Sequence, residues 1–135
     1  MHRTLWVLQG LLAAVFLFSG LVKLLVPVDQ MQQQLPLPAA LIYVIGTLET
    51  LGALGLILPS LLRIWPALTP LAAGGLAILM ACATLLTPSF GDPIESASLP
   101  LTLGVLAAFV AYGRARRAPI APRQQAGAAL NLATR

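Results

Sequence analysis

The chain has 135 residues, of which 59% are hydrophobic and only 9% are charged. Soluble globular domains average about 45–50% apolar and about 25% charged residues, so this composition excludes a soluble protein. Because one membrane crossing takes about 20 apolar residues, the chain can hold about four crossings with short connections. That length leaves no room for a separate catalytic domain or a Rossmann unit.

Four apolar segments follow one another along the chain. The first is longer than the apolar core of a signal peptide, about 7–15 residues, and lacks a small-residue cleavage site, so we predict a retained helix. Pro59 predicts the end of the second segment, and Pro70 falls in the first turn of the third, where its missing N–H costs little. The predicted spans are residues 4–26, 37–58, 66–87 and 95–113.

The apolar runs are continuous, whereas the strands of a membrane barrel alternate apolar and polar residues. Since every backbone amide in lipid must be paired internally, helices are the remaining solution. The sequence therefore predicts an all-α membrane protein, with four transmembrane helices in an antiparallel bundle over residues 1–117. Residues 118–135 consist mainly of Pro, Gln, Ala and Arg, and they are predicted to form a disordered cytoplasmic tail.

The net charge of +4 comes from basic residues that are spread over loops and ends, which predicts orientation in a lipid bilayer and no nucleic-acid partner. All seven arginines fall on one predicted side of the bundle, and the loops of the other side carry Asp29, Asp92 and Glu95. Both termini should therefore face the cytoplasm. The aromatic residues Trp6, Trp65 and Tyr112 fall at that same interface, where amphipathic rings are favoured.

Two ionisable residues fall inside the predicted spans: Lys23 near the outer end of the first and Glu49 near the middle of the second. Such residues usually face the bundle interior and find a partner. The two helices run in opposite directions, and side chains tilt toward the N-terminus of their own helix. This tilt closes a depth gap of about 10 Å between the two backbones, so the sequence predicts a direct or water-mediated pair.

Other interpretations of both residues stay open. Lys23 could extend to the membrane interface without any partner. Glu49 could be a neutral, protonated acid that is satisfied by hydrogen bonds. A mid-membrane carboxyl group is the harder of the two to explain without a role in function or in bundle specificity.

The first helix has an inward stripe with spacings of 4, 3, 4 and 3, and the second has a similar stripe around Glu49. Small residues in these stripes let helix backbones approach closely. We predict that a pocket beside the charged pair is lined by Gln9, Phe16, Ser19, Gly20, Gly46, Gly52, Ala53, Met80 and Thr84. The competing interpretation is that the glycines, Met80 and Thr84 only pack the bundle.

The sequence limits the chemistry of the chain on its own. Its only histidine is His2 and its only cysteine is Cys82, which excludes paired-histidine haem ligation, an iron–sulfur cluster and an intrachain disulfide. There is no Walker loop and no HExxH motif. We therefore expect no intrinsic cofactor, no metal site and no catalytic residue, and no redox chemistry unless the chain borrows a diffusible cofactor.

Three segments carry a family resemblance: FLFSGLVKLL at residues 16–25, IGTLETLGALGLILP at 45–59 and LTPLAAGGLAILMACA at 68–83. Their order and spacing resemble the DoxX-like family of small bacterial membrane proteins, over about residues 5–113. The resemblance implies a four-helix inner-membrane protein, with Lys23 and Glu49 as the polar features of the bundle. Many members have a histidine near the end of the third helix, where this chain has Thr87 or a neighbour.

The family is named from a membrane subunit linked to a quinol oxidase and to thiosulfate–quinone chemistry, and relatives are tied to redox homeostasis. The resemblance, together with the two intramembrane charges, predicts an accessory subunit that binds a quinone or another lipophile. Membrane redox-complex subunits would be its partners, and the bacterial cytoplasmic membrane its location. Two alternatives remain: a structural or interaction protein without a ligand, and a small transporter that forms a homo-oligomer.

Overall fold

The computed structural model describes residues 2–34, 36–65, 67–87, 97–117 and 123–133. Asp92 and Glu95, predicted to lie in an outer loop, fall outside these ranges. The helices are α1 (His2–Leu25), α2 (Val28–Gln34), α3 (Ala39–Leu62), α4 (Leu68–Leu86), α5 (Ser98–Tyr112) and α6 (Arg123–Ala133). A π-helical turn, Gly113–Arg117, continues α5.

Four of these segments are long and apolar enough to cross a membrane: α1, α3, α4 and the continuous segment Ser98–Arg116. A helix of 24 residues, such as α1, is about 36 Å long at 1.5 Å per residue, against a hydrocarbon core of about 30 Å. The described ranges contain no β-strand. The predicted all-α fold with four membrane helices is confirmed.

The four long helices form a closed ring in which α1 packs on α3, α3 on α4, α4 on α5, and α5 back on α1. Neighbouring helices are antiparallel: the end of α1 lies beside the start of α3, and Ser60 near the end of α3 contacts Thr69 at the start of α4. We call the end of the bundle where α1 starts and α5 ends the arginine end, because it carries Arg3, Arg63 and Arg114. The opposite end, beside α2, is the α2 end.

The core contains few large side chains, and most of the apolar surface points outward. Phe16, Leu12, Leu56 and Leu76 are among its largest buried members, and small residues such as Ala53 and Ala107 fill the remaining contacts. Large apolar side chains on every long helix stay exposed to the surroundings of the protein. This inversion of the soluble pattern is what a bundle surrounded by acyl chains requires.

Helix α3 does not end at Pro59, where the sequence predicts the end of the second span, but continues to Leu62. Pro59 is buried within the last turn. That turn is held from the side, because the side chains of Gln9 and Ser60 both donate to the Leu56 carbonyl. Side-chain donors of this kind let membrane helices tolerate proline.

Two further segments differ from the sequence-based expectation. The Gln-rich linker forms the short helix α2, which begins directly after Pro27 and buries Met31. Part of the tail predicted to be disordered, Arg123–Ala133, forms α6. The prediction rested on the lack of an apolar run, but Ala, Leu, Gln and Arg are good helix formers and need no apolar run to form a helix.

Candidate functional site

Two glycines bring the backbones of α1 and α3 into direct contact. A Cβ atom added to Gly20 would lie 2.8 Å from the Gly46 carbonyl oxygen and 2.9 Å from the Thr50 amide nitrogen. One added to Gly46 would lie 2.9 Å from the Cβ atom of Lys23. Because backbone atoms cannot move aside cheaply, only glycine fits at Gly20. The contact places Lys23 against Gly46, which lies one helical turn before Glu49 on α3.

Lys23 and Glu49 form an ion pair inside the bundle. The Lys23 Nζ atom lies 2.9 Å from Glu49 Oε2. Ser19 completes a closed arrangement: its hydroxyl donates to Glu49 Oε2 at 3.0 Å and accepts from Lys23 Nζ at 2.7 Å. The structure thus brings together the two charges that the sequence singles out, together with one residue of the predicted pocket.

The pair is shielded from the surroundings, since the side chain of Lys23 is 15% exposed and that of Glu49 is 4% exposed. An isolated charge at this depth would cost several kcal/mol, and an adjacent opposite charge with hydrogen bonds offsets that cost. Two of the three ammonium N–H donors are used within the described residues. Within the same described residues, the third donor of Lys23 and Oε1 of Glu49 have no hydrogen-bond partner, so both remain for a further one.

A cavity of about 810 Å³ opens beside this ion pair, in the half of the bundle nearer α2. Its walls are mostly apolar side chains of α1, α3, α4 and the start of α5, and Ser19, Lys23, Glu49 and Thr87 supply polar groups. The volume lies in the range of small-molecule sites, about 300–1,000 Å³. Several of its apolar wall residues are exposed at the bundle surface, including Phe18 and Leu99. An apolar molecule in the bilayer could therefore reach the pair laterally.

The predicted pocket residues separate into distinct environments. Phe16, Ser19 and Met80 line the cavity. Gly20 and Gly46 form the contact of α1 with α3 beside it.

The other four predicted lining residues lie away from the cavity. Gly52 faces the side chain of Leu76, and Ala53 belongs to the apolar core. The Thr84 hydroxyl donates to the carbonyl of Met80 in its own helix. Gln9 belongs to a second polar cluster near the arginine end.

This second cluster, which we call the Gln9 cluster, joins all four long segments of the bundle. The Gln9 side chain donates to the Leu56 carbonyl and, at 2.8 Å, to the Ser60 hydroxyl, which lies 2.8 Å from the Thr69 hydroxyl. Arg114 Nε donates to Gln9 Oε1 at 2.8 Å. Gln9, Ser60, Thr69 and Arg114 are all buried.

Sequence reasoning found only Gln9 of this cluster. It assigned Arg114 to membrane orientation together with the other arginines, yet the residue is only 2% exposed. Ser60 and Thr69 are common hydroxyl residues at span ends and carry no distinguishing pattern. A usable signal would have been the position of Gln9, the one polar side chain in the first half of the inward stripe of α1.

The fold and the site define a class: a four-helix membrane protein that encloses a charged pair beside a lipophilic cavity. The family model of the DoxX-like family matches residues 7–110. The chain therefore belongs to the DoxX-like family. No curated protein and no solved structure is significantly similar to it.

Proposed function

We propose that this protein binds a lipophilic molecule with a carbonyl group, a quinone being the leading class, in the cavity beside Lys23 and Glu49. The observation that carries the proposal is an apolar cavity of about 810 Å³ with an ion pair in its wall. In this role the chain is an accessory subunit of a redox or oxidative-stress system in the bacterial cytoplasmic membrane, and the catalytic groups belong to partner subunits.

The unused hydrogen-bonding groups of the ion pair suit a quinone headgroup. The third N–H donor of Lys23 can bind a carbonyl oxygen, and Glu49 Oε1 can accept a proton from a quinol hydroxyl. The apolar walls match a ring and an isoprenoid tail, and exposed wall residues such as Phe18 and Leu99 offer a route from the bilayer. Lys23 and Glu49 thus orient the ligand and hold protons, while Phe16 and Met80 supply apolar contact.

Quinone titration of the purified chain tests this proposal. Ala83 lines the cavity, so Ala83→Leu should fill part of it and weaken quinone binding about tenfold or more without touching the ion pair. Ala81→Leu is the matched control, because Ala81 lies on the same helix, is exposed and does not line the cavity. Equal binding by both variants would contradict the proposal.

A second measurement uses native membranes. Mass spectrometry of small molecules that co-purify in mild detergent should find a quinone with the wild-type chain and less with Glu49→Gln. If no quinone co-purifies, and Glu49→Gln leaves quinone-dependent respiration and oxidant tolerance of the host intact, the proposal is wrong.

The structural alternative is favoured by one observation: Ser19, Lys23 and Glu49 satisfy one another across the contact between α1 and α3. In that case the pair only locks the bundle, and the chain acts through protein contacts. The double variant Lys23→Leu with Glu49→Gln distinguishes the quinone-binding role from the structural role. The structural role predicts that this variant loses both thermal stability and function in the host. It also predicts that stabilising substitutions elsewhere in the chain restore that function.

A further inference from the structure

Arg114 has unused hydrogen-bonding capacity in a buried position. A guanidinium group carries five N–H donors, of which the Nε donor is used by Gln9. Both terminal nitrogens, Nη1 and Nη2, are shielded from solvent and find no acceptor in the described part of the chain. Leaving a buried charged donor unsatisfied is among the costlier defects of a folded protein. The two terminal nitrogens of Arg114 therefore require a hydrogen-bond acceptor.

Neither of the two acidic side chains that the structure describes supplies that partner. The chain has four acidic residues. Glu49 is committed to Lys23, and Asp29 lies in α2 at the other end of the bundle. Asp92 and Glu95 lie outside the described residues. The described residues therefore leave the two terminal nitrogens of Arg114 without an acceptor.

The surroundings of Arg114 select an oxyanion at the depth of lipid headgroups. Arg114 lies near the end of the membrane segment Ser98–Arg116. The same end of the bundle carries the exposed side chains of Arg3 and Arg63, so an anion is attracted there. The planar fork of an arginine binds the oxygens of a phosphate in pairs, with better geometry than a lysine can offer.

From these observations we infer that Arg114, held by Gln9, binds a phosphate-type oxyanion, which the headgroup of a phospholipid in the adjacent leaflet supplies. The site lies at the opposite end of the bundle from the cavity and does not depend on the proposed quinone function. A protein carboxylate is the less favoured occupant, because the depth and the surrounding arginines match a lipid phosphate.

Trp6 lies against Arg114 and provides a signal for occupation of the site. The Cζ atom of Arg114 lies 5.2 Å from the centroid of the Trp6 ring, within cation–π range. The Trp6 indole donates to His2 at 3.2 Å within the first two turns of α1. Because the ring lies against the guanidinium group, phosphate binding at the Nη atoms should change the surroundings of Trp6, and its fluorescence should report the event.

The experiment uses the full chain with Trp65→Phe in mild detergent, so that Trp6 alone fluoresces. Dioleoylphosphatidylglycerol should shift the Trp6 emission saturably and raise the melting temperature. Dioleoylglycerol, which lacks the phosphate, should do neither. Inorganic phosphate at millimolar concentration serves as a third ligand. If it changes the Trp6 emission and the melting temperature as much as the lipid does, the oxyanion site is supported and its ligand is free phosphate.

Variants decide whether Arg114 is responsible. Arg114→Lys keeps a cation but loses the fork, so phosphatidylglycerol should bind about tenfold more weakly or worse; Arg114→Gln should abolish the response. Arg116→Gln is the matched control, since Arg116 is exposed in the same π-helical turn, and it should bind as the parent does. Should Arg114→Gln fail to fold, Arg114→Lys alone tests the inference.

Two results would overturn the inference. One is equal phosphatidylglycerol binding by the parent, Arg114→Lys and Arg116→Gln. The other is an Arg114-dependent dimer in detergent with no response to phosphatidylglycerol or phosphate, which would identify a protein carboxylate as the occupant.

Discussion

At the scale of single residues, the ion pair inside the bundle shows how a membrane span can carry a charge. Glu49 is more deeply buried than Lys23, and neither would be stable at that depth alone. Their contact and the Ser19 hydroxyl convert two unfavourable burials into one neutral, hydrogen-bonded unit. Removal of one partner should therefore be worse than removal of both.

A double-mutant cycle over Lys23→Met and Glu49→Gln tests this coupling. Each single variant should lower the free energy of unfolding by about 3 kcal/mol, because it leaves the other charged group buried and unpaired. The double variant should cost less than either single variant, which places it about 3 kcal/mol or more below their sum. Unfolding in mixed detergent micelles gives these values.

Asp29→Asn provides the control, since Asp29 is an exposed acid, and it should cost less than about 0.5 kcal/mol. Strictly additive effects in the cycle would mean that Lys23 and Glu49 do not interact in the folded bundle.

At the scale of helices, the position of the site depends on how closely α1 approaches α3. The glycines at this contact remove the side chains that would hold the two backbones apart. The same helices are joined a second time near the arginine end, where Gln9 reaches the last turn of α3. Between these two polar contacts lies an apolar layer that includes Leu12, Ala13 and Leu56.

Gly20→Ala should separate α1 from α3 and destabilise the bundle by about 2 kcal/mol, within the usual range for overpacking. The added Cβ would meet the Gly46 carbonyl oxygen at 2.8 Å. Gly10→Ala is the matched control on the same helix, because a Cβ at Gly10 meets nothing within 4 Å. Thermal unfolding in detergent should show a lower melting temperature for the first variant only.

The Gln9 cluster offers a second test at this scale. Thr69→Val removes the hydroxyl that faces Ser60 across α3 and α4, and it should cost about 1 kcal/mol. The control is Thr102→Val, since the exposed Thr102 hydroxyl bonds only to Ser98 of its own helix. A larger loss of stability in the control would show that the cluster does not join the helices as its geometry indicates.

At the scale of the whole molecule, the bundle has two unlike ends. Arginines collect at the end where α1 starts, and the α2 end has no basic residue among its described loop positions. The positive-inside rule predicts that the arginine end faces the cytoplasm. Trp65 and Tyr112 are exposed at that end, as residues of an aromatic belt would be.

Single-cysteine labelling tests the orientation. In a Cys82→Ala background, Asp29→Cys should react with a membrane-impermeant maleimide in intact cells, whereas Arg116→Cys should react only after the membrane is permeabilised. Both positions are exposed in the folded chain, so burial does not bias the comparison. The reverse labelling pattern would show the opposite orientation.

Sequence alone was sufficient for the fold class and for the identity of the two intramembrane charges. The reason is physical: lipid permits only internally bonded backbone, so long apolar runs must be helices, and a charge in such a run stands out. The antiparallel order of the spans also follows from short connections. Helix ends were less predictable, and α3 continues past Pro59 because side chains of its own and of a neighbouring helix support the last turn.

Tertiary structure alone decided which polar residues meet. The distance from Lys23 to Glu49 depends on the rotation and depth of both helices, which the contact of Gly20 with Gly46 sets. Arg114 shows the limit most clearly: by sequence it is one of seven arginines, and by structure it is buried against Gln9 and Trp6. Composition determines that a helix enters the membrane, but the packing of its neighbours determines which way a residue at its end points.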